Sequence, residues 1–82
     1  MQKSILITGC SSGIGLDCAK TLHARGWLVF ASCRKQEDCE RIAQMGMNAP
    51  RLDHTDALSI TKTLAYITKK TGGTLDAVFS NG

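Results

Sequence analysis

The sequence predicts an α/β fold built on a parallel sheet, with elements in the order βαβαβαβ. Two observations predict it. Short apolar runs rich in β-branched residues alternate with stretches whose apolar residues recur at helical spacing, and a glycine-rich turn joins the first run to the first such stretch. The 82 residues allow one small domain. A chain of this size buries only about 60–65% of its unfolded surface, so thin stability is expected.

Residues 4–8, Ser-Ile-Leu-Ile-Thr, read as a strand covered on both faces, ending at Gly9. From Gly13 the period changes. Ile14, Cys18 and Leu22 recur every fourth residue with Ala19 beside them, and Gly26 stops the helix. Residues 27–32 form the second strand. A second helix opens in the polar stretch 34–38, turns Cys39, Ile42 and Ala43 to one face, and ends at Gly46. Residues 48–52 are a weaker third strand. Pro50 has no N–H for a ladder, which places this strand at an edge. Thr55 or Asp56 caps a third helix with Ala57, Ile60, Leu64 and Ile67 as its apolar face. Gly72-Gly73 breaks it, and residues 75–79 form a fourth strand before Ser80-Asn81-Gly82.

Composition narrows the function classes. Hydrophobic residues at 43% and charged residues at 21% are an ordinary globular balance. The net charge of +3 is dispersed, and aromatic residues are 5%, so nucleic acid is not an expected partner. A modest positive excess suits an anionic small ligand. No apolar run is long enough for a membrane span, and Met1-Gln2-Lys3 leads straight into the first strand without a cleavage signal. A cytoplasmic setting is expected. Cys10, Cys18, Cys33 and Cys39 contain no C-x-x-C pair; they read as free thiols, with no metal site.

The informative segment is Thr8-Gly9-Cys10-Ser11-Ser12-Gly13-Ile14-Gly15. Gly9 leaves the strand through a tight turn. Gly13, lacking a Cβ, lets backbone approach a pyrophosphate, and Gly15 lets the helix pack close to the strand. Amides near Gly13 and Ile14 open the helix where its dipole favours an anion, and Ser11 and Ser12 add hydroxyl donors. No Gly-Lys-Ser/Thr follows, so this is not a P-loop. A glycine-rich turn without a ligand is the bland alternative.

The spacing T-G-x-x-x-G-x-G resembles the short-chain dehydrogenase/reductase family, and the resemblance spans the chain. It implies the N-terminal half of a doubly wound Rossmann sheet, truncated after the fourth strand, with strand order 3-2-1-4. Asp53 follows the third strand, where that family's acid contacts adenine; capping of the next helix is an equal alternative. Asn81 matches the second Asn of the family's Asn-Asn-Ala-Gly-like motif, while Ser80 departs from the first. The stretch 6–16 looks most like the NADP-using branch near 17β-hydroxysteroid dehydrogenases and bacterial aldehyde reductases.

Ribose recognition falls about 20 residues beyond the glycines, at the end of the second strand. Arg34 stands there, and Ala31-Ser32-Cys33-Arg34-Lys35 contains no acid. An acid would repel a 2′-phosphate; a guanidinium grips it with two hydrogen bonds. The reading is an NADP(H) preference anchored on Arg34, with Ser11, Ser12 and Lys35 as lesser contacts. A merely solvated Arg34-Lys35 loop is the alternative.

The resemblance implies hydride transfer between the nicotinamide and a small carbonyl or secondary alcohol, using a Tyr-x-x-x-Lys pair and an upstream Ser beyond the fourth strand. Tyr66-x-x-x-Lys70 has the spacing but lies on the third helix, outside the expected place. No catalytic residue is therefore assigned, and little turnover is expected from these 82 residues alone. His23 and His54 carry no catalytic or metal constellation, although the His54 N–H could meet adenine. A non-catalytic nucleotide-binding or interaction module is the second reading. A methyltransferase-type domain is a third, disfavoured by the serine pair and by the missing acid after strand two. Substrate and oligomeric state stay open.

Overall fold

In the computed structural model, β1 (Ser4–Ile7), β2 (Leu28–Ala31) and β3 (Ala77–Phe79) form a parallel sheet in the order β2-β1-β3. Residues 2–81 are described; Met1 and Gly82, the last residue of the Ser80-Asn81-Gly82 match, lie outside them. Ser4 pairs with Leu28 and Ile7 with Ala31 on one side of β1; Ile5 pairs with Ala77 and Ile7 with Phe79 on the other. α1 (Gly13–Ala24), α2 (Gln36–Ala43) and α3 (Ala57–Thr71) complete the chain.

Alternation along the strands divides the core. Ile5, Ile7, Val29 and Ala31 pack with Ala19 of α1 and with Cys39 and Ile42 of α2. Leu6 and Phe30 turn the other way and pack with Ile67 of α3, with Tyr66 against them. Helices thus cover both faces, which is why β1 is buried throughout and apolar from Ile5 to Ile7.

The third predicted strand needs correction. Residues 48–52 pair with β2 and the residues just after it through two isolated parallel bridges, Phe30 to Asn48 and Cys33 to Arg51. Ala31 N–H donates to Asn48 O at 2.8 Å and Leu52 N–H to Cys33 O at 2.9 Å. Between the bridges stands Pro50, which has no proton for a ladder. The segment still occupies the outer side of β2, so the spatial order 3-2-1-4 holds, the predicted fourth strand being β3.

The buried face of α3 agrees with the predicted one only in part: Ile67 is buried and Ile60 half-buried. Ser59, Thr63 and Ile67 are buried, whereas Ala57 and Leu64 are exposed. The hydroxyls repair what the broken strand leaves open. Thr63 Oγ1 donates to Arg51 O at 2.9 Å, and Ser59 Oγ accepts from Asp53 N–H at 3.0 Å while sharing its one proton between Asp56 O at 2.8 Å and Asp53 O at 3.1 Å. The segment's polar backbone is satisfied from the helix, so polar residues go inward.

Thr63→Val preserves shape but orphans the Arg51 carbonyl, since Thr63 is 1% exposed. We expect a loss of about 1–3 kcal/mol in urea denaturation. An unchanged midpoint would show that the hydroxyl does not hold this segment.

Candidate functional site

Because the three strands are parallel and in register, Ile7, Ala31 and Phe79 end side by side. The segments that follow them leave the sheet together and enclose a crevice of about 390 Å³. Of the sequence-predicted residues, Gly9, Ser11, Arg34, Asp53 and Asn81 line it. Ser12, Gly13, Ile14, Gly15 and Lys35 do not line it; the first four continue the turn into α1, and Lys35 caps the start of α2. Thr8, Cys33, Leu52, His54 and Thr55 line it as well. A crevice at the carboxyl ends of parallel strands, beside the strand where the order reverses, is where such sheets hold ligands.

The glycine-rich turn is pinned from both sides. Thr8 N–H donates to Phe79 O at 3.1 Å, and Cys10 N–H donates to Ser32 O at 3.0 Å. Asn81 closes the third side: its N–H donates to Thr8 Oγ1 at 3.0 Å and its Nδ2 to Gly9 O at 3.1 Å. Thr8 Oγ1 in turn donates to Asn81 O at 3.3 Å. Sequence reasoning included Thr8 as the first residue of the motif but gave it no role. Asn81 spends its side-chain donor on the turn. A Cβ on Gly15 would stand 2.6 Å from Asn81 Nδ2 and 2.7 Å from Gly9 O, so helix and turn approach as closely as only glycine allows.

α1 begins without a cap. Ser12 is extended at its N-cap, its side chain makes no capping bond, and no acid lies in the first turn. By contrast, Asp56 caps α3 by accepting from Leu58 N–H and Ser59 N–H. The opening amides of α1 therefore keep their partial positive charge facing outward. Ile14 beside them is 72% exposed.

Among the described residues Arg34 has no ion-pair partner, whereas Arg51 is neutralised by Asp53 at 3.7 Å and Asp56 at 3.3 Å. Asp53 forms a local turn, accepting from Thr55 N–H at 3.0 Å and Thr55 Oγ1 at 2.7 Å. These bonds, then the Arg51 and Arg34 charges, hold its carboxyl below the usual range. Asp53 does not itself cap α3: it closes the turn at Thr55, and Asp56 is the cap.

A second groove of about 360 Å³ lies along α3 and includes Arg51, Asp56, Lys62 and Tyr66. Tyr66 donates to Asn48 Oδ1 at 2.9 Å, sets its ring edge-on to Phe30, and carries Lys70 Nζ 5.6 Å from its centroid. The Tyr66-x-x-x-Lys70 pair ties α3 to the bridged segment and does not reach the crevice.

The thiols sit in one core cluster, with Cys10, Cys33 and Cys39 buried and Cys18 packed against them; of these Cys33 also lines the crevice. None is in a disulfide. Burial pushes Cys10 up to about 12 and Cys33 up to about 11, from 9.0. The folded state therefore favours neutral thiols. Stability from these groups is intact below pH 9 and is lost as pH rises from there through the folded values near 11 and 12. In denaturation series across that window, the double variant Cys10→Ala/Cys33→Ala should lose less stability than the wild type. Equal alkaline slopes would contradict the assignment.

The sequence model described as short chain dehydrogenase matches residues 3–82. The chain is 42% identical over 81 residues to "Uncharacterized oxidoreductase YbbO" of Escherichia coli K12, covering 99% of this chain and 30% of that protein. It is 35% identical over 81 residues to "NADPH-dependent 1-acyldihydroxyacetone phosphate reductase" of Schizosaccharomyces pombe, covering 98% of this chain and 27% of that one. Among solved structures it superposes with TM-score 0.80 and 27% identity on "F189W Actinorhodin Polyketide Ketoreductase with NADPH", covering 98% of this chain and 33% of the other. The chain thus spans about a third or less of the relatives it matches. With the sheet order, the glycine-rich turn and these likenesses in agreement, the chain belongs to the short-chain dehydrogenase family.

Proposed function

We propose that this chain is the NADP(H)-binding part of a cytoplasmic oxidoreductase that moves hydride between the nicotinamide and a carbonyl or secondary alcohol. The observation that carries the reading is an uncapped helix start that directly follows the crevice-lining turn residues Gly9 and Ser11, together with an exposed crevice-lining guanidinium that is in no ion pair among the described residues. The residues fit a diphosphate-bearing dinucleotide. A Cβ on Gly13 would meet nothing within 4 Å, so backbone there is open to approach. Amides at Gly13 and Ile14 would hold the diphosphate, with the Ser11 and Ser12 hydroxyls beside them. Arg34 would grip the 2′-phosphate, with Lys35 adding charge from the start of α2. Asp53, already ionised by its Thr55 bonds, would accept from an adenine amino group.

When bound, the nicotinamide would supply or accept the hydride. The proton chemistry needs a tyrosine and lysine that the crevice does not contain, so 82 residues alone should turn over little carbonyl. The likeness to an NADPH-dependent reductase and to a ketoreductase solved with NADPH supports the cofactor choice. The finer likeness to the 17β-hydroxysteroid dehydrogenase and aldehyde reductase branch belongs to the same proposal.

Calorimetric titration tests it. NADPH should bind at least about tenfold more tightly than NADH, one charge-assisted contact's worth. Equal binding, or a preference for NADH, would overturn the phosphate assignment.

A further inference from the structure

We propose that Arg41, on α2 and outside the glycine-rich turn, is a positioning residue that fixes the Ser11–Ser12 peptide and thereby keeps the start of α1 receptive to an anion. The proposal rests on the reading of the crevice as a dinucleotide site and deepens it.

Arg41 Nη2 donates to Ser11 O at 2.7 Å, joining positions thirty residues apart. The bond is short for a nitrogen donor, as expected when the donor carries charge. The guanidinium is aimed from behind: Arg41 Nη1 pairs with Asp38 Oδ1 at 3.2 Å, one helical turn earlier. The helix that carries both is itself anchored, since Cys39 and Ile42, flanking Arg41 along α2, are buried in the core. An anchored helix therefore brings a charged donor to the exposed part of the turn, Ser11 to Gly13.

The peptide needs such an anchor. Among the described residues the Ser11 and Ser12 side chains make no hydrogen bond, and Ser12 does not cap α1. The bonds that pin the turn engage Thr8, Gly9 and Cys10, before this peptide. In a planar trans peptide, the C=O and the following N–H point in opposite directions. Drawing Ser11 C=O toward Arg41 turns Ser12 N–H away from it. Rotating that peptide would exchange the two dipoles, presenting a partial negative charge where a donor had been. Arg41 selects between these orientations, and its charge opposes the rotation. Its role differs from that proposed for Arg34. The effect passes through the turn's backbone, so it acts on the diphosphate that every nicotinamide dinucleotide carries, and not on the 2′-phosphate.

The experiment is calorimetric titration of NADPH and NADH into the full-length protein and its Arg41→Ala, Arg41→Lys and Arg34→Ala variants. In parallel, the Ser12 amide resonance is followed without nucleotide. Arg41→Ala should weaken both nucleotides by a common factor of about fivefold to tenfold, the scale of one half-exposed charge-assisted bond. Arg41→Lys, which keeps a charged donor, should recover most of it. The Ser12 amide should shift in Arg41→Ala and return toward its wild-type position in Arg41→Lys. Wild-type affinity in both Arg41 variants, with Arg34→Ala impaired, would overturn the positioning role alone. A loss confined to NADPH would overturn it too, by making Arg41 a direct phosphate ligand. Should the wild type bind neither nucleotide, the reading of the crevice fails instead; the Ser12 amide then decides the role of Arg41, and an unmoved resonance refutes it.

Discussion

Replacing Arg34 with alanine should weaken NADPH binding by about tenfold to a hundredfold and leave NADH within about twofold. The asymmetry follows from chemistry. The two nucleotides differ by one phosphoryl group on the adenosine ribose, and the only charged side chain at the crevice without a counter-ion is Arg34, among the described residues. Removing it leaves the amides of α1 untouched, so the grip on the shared diphosphate persists. Arg34→Lys should retain part of the affinity, because an ammonium is a point charge and cannot form a bidentate pair. Arg34→Asp should invert the preference, since an acid at this place accepts from a 2′-hydroxyl and repels a 2′-phosphate. Affinities are read by calorimetry. Equal losses for both nucleotides in Arg34→Ala would mean that the residue supports the fold or the diphosphate.

Gly9→Ala and Gly13→Ala should fail in different ways. Both glycines have φ of +66°, which costs a residue with a Cβ about 1–2 kcal/mol. They differ in surroundings. A Cβ on Gly9 would overlap the Asn81 carbonyl oxygen, whereas one on Gly13 meets nothing within 4 Å. In Gly9→Ala, Asn81 must move, and its movement breaks the bonds to Thr8 Oγ1 and Gly9 O that close the turn. The total should reach about 3–5 kcal/mol, a large share of the stability available to so short a chain. Gly13→Ala should fold with only the conformational loss, yet bind nucleotide at least about tenfold more weakly, because the new methyl stands where backbone must approach the diphosphate. Thermal melts separate the stability effects and titration the binding effect. Wild-type stability in Gly9→Ala, or wild-type binding in Gly13→Ala, would contradict the roles given to these positions.

Much of the fold was legible because its signals are local. The change from the continuous apolar run of β1 to the four-residue spacing of α1 is a change of period, and the glycines mark where it happens. Pro50 was legible as a disruption, but not its extent. Whether residues 48–52 form a ladder depends on what else can satisfy their carbonyls; Thr63 does so for Arg51 from a helix later in the chain, and Ser59 does the same for Asp53 just beyond the segment. That substitution also hid the true face of α3. Leu64 looked like core by side-chain type, while a buried Thr63 makes sense only once the Arg51 carbonyl is known to need it.

The site divides along the same line. Gly9, Ser11, Arg34, Asp53 and Asn81 converge on one crevice, as motif spacing and strand ends require. Ser12 to Gly15 do not line it because they are already turning into α1, nor does Lys35, which stands at the start of α2. The closure of the turn by Thr8 and Asn81 spans 73 residues, and the Arg41 bond spans 30. No local pattern encodes such contacts; they follow from the parallel register, which sets the three strand ends beside one another.

The most direct measurement is a crystal structure of the protein grown with NADPH. The diphosphate should lie against the amides of residues 12–14, with the 2′-phosphate within hydrogen-bonding distance of the Arg34 guanidinium. Nucleotide bound instead along α3 beside Lys62 and Tyr66, or a crevice closed by packed side chains under saturating NADPH, would contradict the proposed role of this crevice.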